Sequence, residues 1–146
     1  MERDPVGVEF GLYLGHRFGI SADYLDVLLV LAAADWHERH EDVVDGLAQL
    51  KAPASVDALY HTALAEHPYR NYDDASALGV KAVRAIGGIE TPEALARLEQ
   101  LLHSEHAALK DQARKELARM ANGGKSDALR VAAQSALQPS VTETEV

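Results

Sequence analysis

Apolar residues between Asp74 and His103 recur at the spacing of two short amphipathic helices. The first set lies three or four positions apart, as on one helix face, and consists of Leu78, Ala82, Val83, Ala85 and Ile86. The second set repeats that spacing and consists of Leu95, Leu98, Leu101 and Leu102. Two helices joined by so short a turn must lie side by side. The pattern therefore predicts a helical hairpin over Asp74–His103.

The turn of this hairpin carries signals for the end of one helix and the start of another. Gly87 and Gly88 are predicted to end the first helix, because glycine tolerates the left-handed backbone found just past a C-terminus. Thr91 is predicted to cap the second helix, Pro92 suits its first position, and Glu93 interacts favourably with its dipole.

The residues before and after the hairpin repeat its organisation. A turn that ends at Ser55 precedes another helix, and Ser55 is predicted to be its cap. Matching Leu50 with Ile86, and Ser55 with Thr91, gives an offset of 36 residues, and Met120 follows Ile86 by 34 residues. Helix pairs at such a period are typical of an α-solenoid.

The N-terminal third is also predicted to be helical. Residues 1–20 are interpreted as a glycine-interrupted helix that packs on the next one. Ser21 is the predicted cap of that next helix, which breaks or bends between Trp36 and His40. A further helix then runs to about Leu50.

The C-terminal third supplies the last predicted helix pair. It consists of His106–Ala121 and a helix that starts at Ser126 and ends at Leu137. Residues 138–146 are polar and rich in Thr and Glu, so we expect a disordered tail. Residues 1–137 are predicted to form a single helical domain.

Three segments resemble HEAT repeats, each with a first helix, a short turn and a capped second helix rich in Ala and Leu. These segments are Asp42–Leu64, Asp74–Leu102 and Lys110–Leu137. The resemblance implies an all-α fold, a short right-handed α-solenoid of about three HEAT-like helix pairs plus N-terminal helices. It also implies a general role in protein binding, and it supplies no catalytic residues. TPR repeats are a weaker match, because their Trp/Gly/Tyr signature is missing from these segments.

Composition narrows the expected partners. The chain is 47% hydrophobic but only 5% aromatic, which favours close packing of Ala- and Leu-rich helices over a β-sandwich. Its formal charge of -9 repels phosphate, so we expect no nucleic-acid partner and favour a basic protein partner. The absence of cysteine excludes thiolate chemistry. No signal peptide or membrane span is recognised, so we expect a cytoplasmic protein. We also expect a monomer or weak dimer, and no cofactor.

A cluster of histidines and acids around Trp36 is the strongest candidate for chemistry. His37 and His40 are spaced like metal ligands on a helix. Deoxyhypusine hydroxylases are HEAT-like and hold two irons with His-Glu pairs, which His37-Glu38 and His40-Glu41 resemble. The next two units lack such pairs, so no metal ligand is predicted. The favoured interpretation is a partly buried Trp36 beside a solvated helix junction.

Two segments are candidate partner-binding surfaces. If residues 35–45 are helical, their acids share one face, where they either receive a basic partner or form an ordinary solvated surface. The loop after the helix that begins at Val56 holds tyrosines and an arginine, which are enriched at interface hot spots, although the tyrosines could instead cover a helix end. The residues predicted to bind a partner are Asp35, Glu38, Asp42, Asp45, Tyr69, Arg70 and Tyr72.

The sequence favours a non-enzymatic protein-binding module, such as an immunity or regulatory protein that covers a basic surface. One alternative is a HEAT-like metal-dependent enzyme with His and Glu ligands. Another enzyme of this architecture, a HEAT-like alkylpurine DNA glycosylase, is disfavoured because it needs a basic groove for DNA. The remaining alternative is a scaffold that self-associates through its repeat ends.

Overall fold

The fold of the chain was analysed in a computed structural model, which describes residues 3–67, 69 and 76–139. The described residues form eight α-helices and no strand. The helices are α1 (Pro5–Phe18), α2 (Leu25–Ala33), α3 (His40–Leu50), α4 (Val56–Leu64), α5 (Ala77–Ile89), α6 (Pro92–Leu101), α7 (Ala107–Gly123) and α8 (Asp127–Leu137). The predicted cap Asp74 and residues 140–146 of the predicted tail lie outside the described residues.

The helices form two layers. Odd-numbered helices pack in the order α1, α3, α5 and α7, and even-numbered helices pack in the order α2, α4, α6 and α8. The predicted all-α fold, a short α-solenoid, is confirmed. The predicted helix within residues 1–20 is present, but it packs mainly on α3 and not on the next helix, α2, as predicted. Leucine, valine and alanine side chains fill the space between the layers.

The predicted match between the first two HEAT-like units is wrong by three residues. Lys51 and Glu90 both adopt the left-handed conformation that ends a first helix, with φ of 50° and 55°. These two residues are 39 positions apart, not 36, and the same offset matches buried Leu47 with buried Ile86. Three residues are close to one helical turn, so the shift leaves the apolar spacing almost unchanged. Periodicity alone therefore could not detect the error.

The capping predictions have mixed outcomes. Thr91 caps α6 by accepting a hydrogen bond from the Ala94 backbone N–H at 3.1 Å, and Ser126 caps α8 in the same way. Ser55 does not cap α4, because it lies inside a 3₁₀ turn with helical φ and ψ of -82° and -13°. Ser21 makes no capping hydrogen bond either, since a 3₁₀ turn also separates it from α2.

The prediction that Gly87 and Gly88 end a helix is wrong. Helix α5 continues through both glycines to Ile89, and Glu90 takes the left-handed cap position. Gly87 is required for another reason, since a Cβ atom there would lie 2.2 Å from Oε1 of Glu116 on α7. The glycine therefore allows α5 and α7 to approach closely, while Gly88 has open space at the same point.

Glu116 is held in place opposite Gly87 by its neighbours on α7. Gln112 donates a hydrogen bond to Glu116 Oε2 at 2.9 Å, and Arg119 lies 3.3 Å from Oε1. Arg119 also donates to the Gly87 carbonyl at 2.7 Å, which joins the network to α5. This buried carboxylate is thus fully engaged in holding two neighbouring helices together.

Candidate functional site

A groove lies on the odd-numbered layer between α1, the start of α3 and the connection between α2 and α3. It consists of two adjoining depressions of about 740 and 350 Å³ that share Glu9, Arg39 and Asp42. Five carboxylates line it: Glu9, Glu38, Glu41, Asp42 and Asp45. Three larger aromatic side chains line it as well: Tyr13, Trp36 and Tyr69. We call this feature the acidic groove.

Arg39 crosses the acidic groove and pairs with Glu9 of α1. The hydrogen bond to Glu9 raises the pKa of Arg39, burial opposes this rise, and the charges of Glu9, Asp42 and Glu38 add to it. The groove therefore favours a positive charge. Because this pair is largely solvent-exposed, we assign it little weight in the stability of the fold.

The predicted break between Trp36 and His40 is present, so the condition of a continuous helix over residues 35–45 is not met. Residues 34–39 are not helical, so Asp35 and Glu38 precede α3, whereas Asp42 and Asp45 lie within it. Glu38, Asp42 and Asp45 nevertheless line the acidic groove together. Asp35 is exposed but does not line it, and Asp45 also forms an ion pair with Lys81 of α5 at 3.0 Å.

Helix α1 contributes residues that the sequence analysis did not identify. Glu9, Tyr13 and His16 are spaced four and three positions apart, so they share the face that lines the groove. His16 Nε2 donates a hydrogen bond to the Asp42 carbonyl at 3.2 Å, which fixes α1 against α3. The sequence did contain a signal for this helix, because Asp4 followed by Pro5 is a common N-terminal pattern.

The loop residues predicted to bind a partner are only partly described. Tyr69 lies at the edge of the acidic groove, where its hydroxyl is 2.6 Å from His40 Nδ1. Arg70 and Tyr72 lie outside the described residues. The structure therefore places Tyr69 beside Glu38 and Asp42, and partner binding by any of the predicted residues stays a prediction.

Behind the groove, three imidazole rings form a histidine stack, which consists of His37, His40 and His67. The ring centroids of His37 and His40 are 4.2 Å apart, and those of His40 and His67 are 3.9 Å apart. Trp36 contacts His37 edge-on at 5.4 Å. Trp36 is partly buried and Asp35 and Glu38 are exposed, as the predicted junction requires, but His37 and His40 are 2% and 0% exposed and form a buried interior that the prediction did not include.

The ring nitrogens of His37 and His40 are used in hydrogen bonds. His37 Nδ1 accepts from the Arg39 backbone N–H at 3.0 Å, which assigns the ring proton to Nε2, where it is donated to the Leu31 carbonyl at 2.7 Å. His40 Nε2 donates to the Ala34 carbonyl at 2.6 Å. These bonds add donors at the C-terminal end of α2, where the Leu31 carbonyl also accepts the Ala34 backbone N–H at 3.3 Å.

The same bonds argue against the metal interpretation of His37 and His40. A metal would have to displace a hydrogen-bond partner from each ring, and the lone pair of His37 Nδ1 is already engaged. Within the described part of the chain, no group of three or more His, Cys, Asp or Glu residues is arranged to hold a metal ion. The histidines instead join α2 to α3.

Beside the groove, the outer surface of α1 exposes large apolar side chains. Val6 and Phe10, one helical turn apart, are 76% and 62% exposed. Phe18, Val27 and Val30 add further exposed apolar surface at this end of the solenoid. Apolar surface next to a polar groove is typical of protein interaction sites. Among the described helices, none is both long enough and apolar enough to cross a lipid bilayer.

One comparison with known proteins gave a match. Residues 80–104 match the sequence profile of the PBS lyase HEAT-like repeat, which spans most of α5, the following turn and all of α6. Comparisons with curated proteins and with solved structures gave no match. The matched residues are those of the central hairpin, and they coincide with the helix pair at the middle of the two layers.

Proposed function

Because this chain is a HEAT-repeat-like α-solenoid, we propose that it is a non-enzymatic module that binds a basic segment of a partner protein in the acidic groove. HEAT-like repeats generally mediate protein–protein interaction. The observation that carries the proposal is the groove itself, in which five carboxylates lie beside three aromatic rings. An immunity or regulatory protein that covers a basic surface would use this arrangement.

The chemistry of the groove suits lysine and arginine side chains. Its carboxylates attract cationic groups over a distance and orient the approaching partner, and this mainly raises the association rate and the specificity. Tyr13, Trp36 and Tyr69 offer ring faces that pack on a guanidinium or on an aliphatic stem. Arg39 already places one guanidinium in this groove, where it pairs with Glu9.

The apolar surface of α1 and α2 supports a second candidate, self-association. Val6, Phe10 and Phe18 are more exposed than large apolar residues usually are, and burial against another copy would remove them from water. Light scattering distinguishes this candidate. A mass that rises with concentration in the wild type and stays monomeric in Phe10→Ser supports self-association, whereas a monomer throughout contradicts it.

The binding proposal is tested with a nona-arginine peptide as a generic basic probe. Binding is followed by the fluorescence of Trp36, which is the only tryptophan of the chain and lines the groove. We expect the double substitution Glu38→Gln and Asp42→Asn to weaken binding about tenfold, a typical effect for interface charges.

The matched control carries Glu99→Gln and Glu105→Gln, which remove the same charge from exposed positions far along the chain. This variant should bind within about twofold of the wild type, because long-range effects of exposed charges are screened. An equal loss in both variants would show a response to net charge alone, and it would contradict a site in the groove. A photo-crosslinking residue at position 13 then identifies the natural partner, with position 131 on α8 as its control.

A further inference from the structure

The histidine stack joins three segments that are separate along the chain. His37 and His40 bond to the carbonyl end of α2, and His40 also bonds to Tyr69, which follows α4. His67 closes the stack from the same segment as Tyr69. The stack thus links the connection between α2 and α3 to the segment after α4 through ring contacts and a hydrogen bond.

His37 is bonded in its neutral form. Its Nδ1 atom accepts the Arg39 backbone N–H, while its Nε2 atom donates to the Leu31 carbonyl. A proton added at Nδ1 would point at the Arg39 N–H. The hydrogen bond from Arg39 to His37 would then be lost, because both groups would be donors. The ring is 2% exposed, so water cannot readily replace it. A charge on His37 would also lie close to the His40 ring, 4.2 Å away between centroids.

We infer that the histidine stack is an acid-sensitive latch, in which protonation of His37 releases Arg39 and opens the connection between α2 and α3. The latch is closed while the rings are neutral. Only the neutral ring can accept the Arg39 N–H, so added acid favours the open form. This inference does not depend on the proposed binding of a basic partner.

Charged and titratable groups of both signs line the same depression as His37. They are Glu9 of α1, Glu38 and Arg39 of the connection, Glu41 and Asp42 of α3, and Tyr69 after α4. The last turn of α2 contributes only apolar side chains. The hydrogen bonds of the ring set the direction of the response, because only an unprotonated Nδ1 can accept the Arg39 N–H.

Opening of the connection between α2 and α3 would change the shape of the acidic groove, because Arg39 takes part in both the latch and the groove. Its backbone N–H is held by His37, and its side chain pairs with Glu9 across the groove. Once the backbone bond is broken, the connection is free to move with Arg39 and Trp36 on it. The wall of the groove thus depends on the protonation state of a ring behind it.

Trp36 provides a direct test of the latch. It is the only tryptophan and lies edge-on to His37, so its fluorescence and near-UV circular dichroism report on this junction. In the wild type we expect a reversible transition as the pH falls from 8 to 5, while far-UV circular dichroism stays constant. His37→Gln should abolish it, because glutamine can donate to Leu31 and accept from Arg39 but cannot be protonated. His103→Gln, at an exposed position, should leave it unchanged.

A second measurement on the wild type keeps the test independent of how the variants fold. Nitrogen-15 NMR should show His37 protonated only at Nε2 at pH 8 and at both nitrogens at pH 5. Exchange of the Arg39 amide should accelerate about tenfold over the same range, the order of size expected for one lost hydrogen bond. A His37 ring protonated at Nδ1 at pH 8, or a Trp36 transition that persists in His37→Gln, would overturn the latch.

Discussion

Ser55 is a buried hydroxyl at the position where the next repeat has Ala94. Both residues are 0% exposed, and among the described residues Ser55 Oγ has no hydrogen-bond partner. We expect Ser55→Ala to raise the free energy of unfolding by about 1 kcal/mol, because it removes an unsatisfied buried polar group. Urea denaturation measures the change.

The comparison variant for this test is Thr91→Ala, which removes a cap that the structure contains. It should lower the free energy of unfolding by about 1 kcal/mol. If Ser55→Ala lowered stability by a similar amount, Ser55 would be a helix cap, as its sequence context suggests. The sign of the Ser55 effect therefore decides between the two interpretations.

Gly87 and Gly88 are neighbours in α5 with opposite environments. Gly87→Ala places a Cβ atom 2.2 Å from Glu116 Oε1 and 2.7 Å from Glu116 Cγ, so Glu116 and its network must move. We expect a loss of about 1–3 kcal/mol in the free energy of unfolding, the usual cost of overpacking. Thermal and urea denaturation should agree on this loss.

Gly88→Ala is the matched variant, since nothing lies within 4 Å of the added Cβ. It should raise the free energy of unfolding by about 0.5–1 kcal/mol, because alanine is favoured over glycine inside a helix. Equal losses in the two variants would contradict a continuous α5 and would indicate that the helix ends at the glycines.

At the scale of helices, sequence signals predicted a helix end correctly only where the hydrogen bond at that end joins residues that are close in sequence. Thr91 and Ser126 cap their helices because the donor lies three residues further along the chain. The presence of Gly87 inside α5 depends instead on a distant residue, because Glu116 of α7 approaches the helix at that position. The histidine stack is equally non-local, because His40 and His67 are far apart in sequence. The pattern of apolar residues within one helix does not indicate such contacts between distant residues.

Helix α1 is the most weakly held of the odd-numbered helices. Only Leu12 and Gly15 of its residues are buried, whereas α5 buries eight residues and lies between α3 and α7. We expect hydrogen exchange at neutral pH to be fastest in α1 and slowest in α5, since local opening costs less where less apolar surface is buried. Leu12→Ala should accelerate exchange in α1 while leaving α5 within about twofold. Uniform exchange across both helices would contradict this difference and would indicate that the chain opens as one unit.

At the scale of the whole molecule, repetition is what made the fold predictable. Each HEAT-like unit contacts mainly its neighbours, so helix pairs found by periodicity stack in chain order. The offset between units was wrong by three residues without changing the architecture. The candidate site was less predictable, because it combines α1, the non-helical connection and Tyr69. Glu38, Asp42 and Asp45 were identified for their charge, while Glu9, Tyr13 and His16 were found only when α1 was placed beside them.

The net charge of -9 predicts how salt affects stability and binding. Ion pairs such as Asp45–Lys81 and Asp57–Arg97 join neighbouring repeats, but exposed pairs are worth only about 0–1 kcal/mol each. Repulsion among the excess acids acts over the whole surface and is screened at a Debye length of about 10 Å in 0.1 M salt. At low salt, repulsion among the acids should therefore lower the stability of the fold by more than the ion pairs raise it.

Raising NaCl from about 0.05 to 0.5 M should thus increase the midpoint of thermal unfolding by a few degrees, while it weakens nona-arginine binding. Scanning calorimetry and Trp36 fluorescence measure the two effects. The variant with Glu99→Gln and Glu105→Gln, which carries less excess charge, should gain less stability from salt. A midpoint that falls with salt would mean that the ion pairs between repeats dominate. Asp57→Asn would then be expected to remove most of that fall, because it breaks the α4–α6 pair with Arg97.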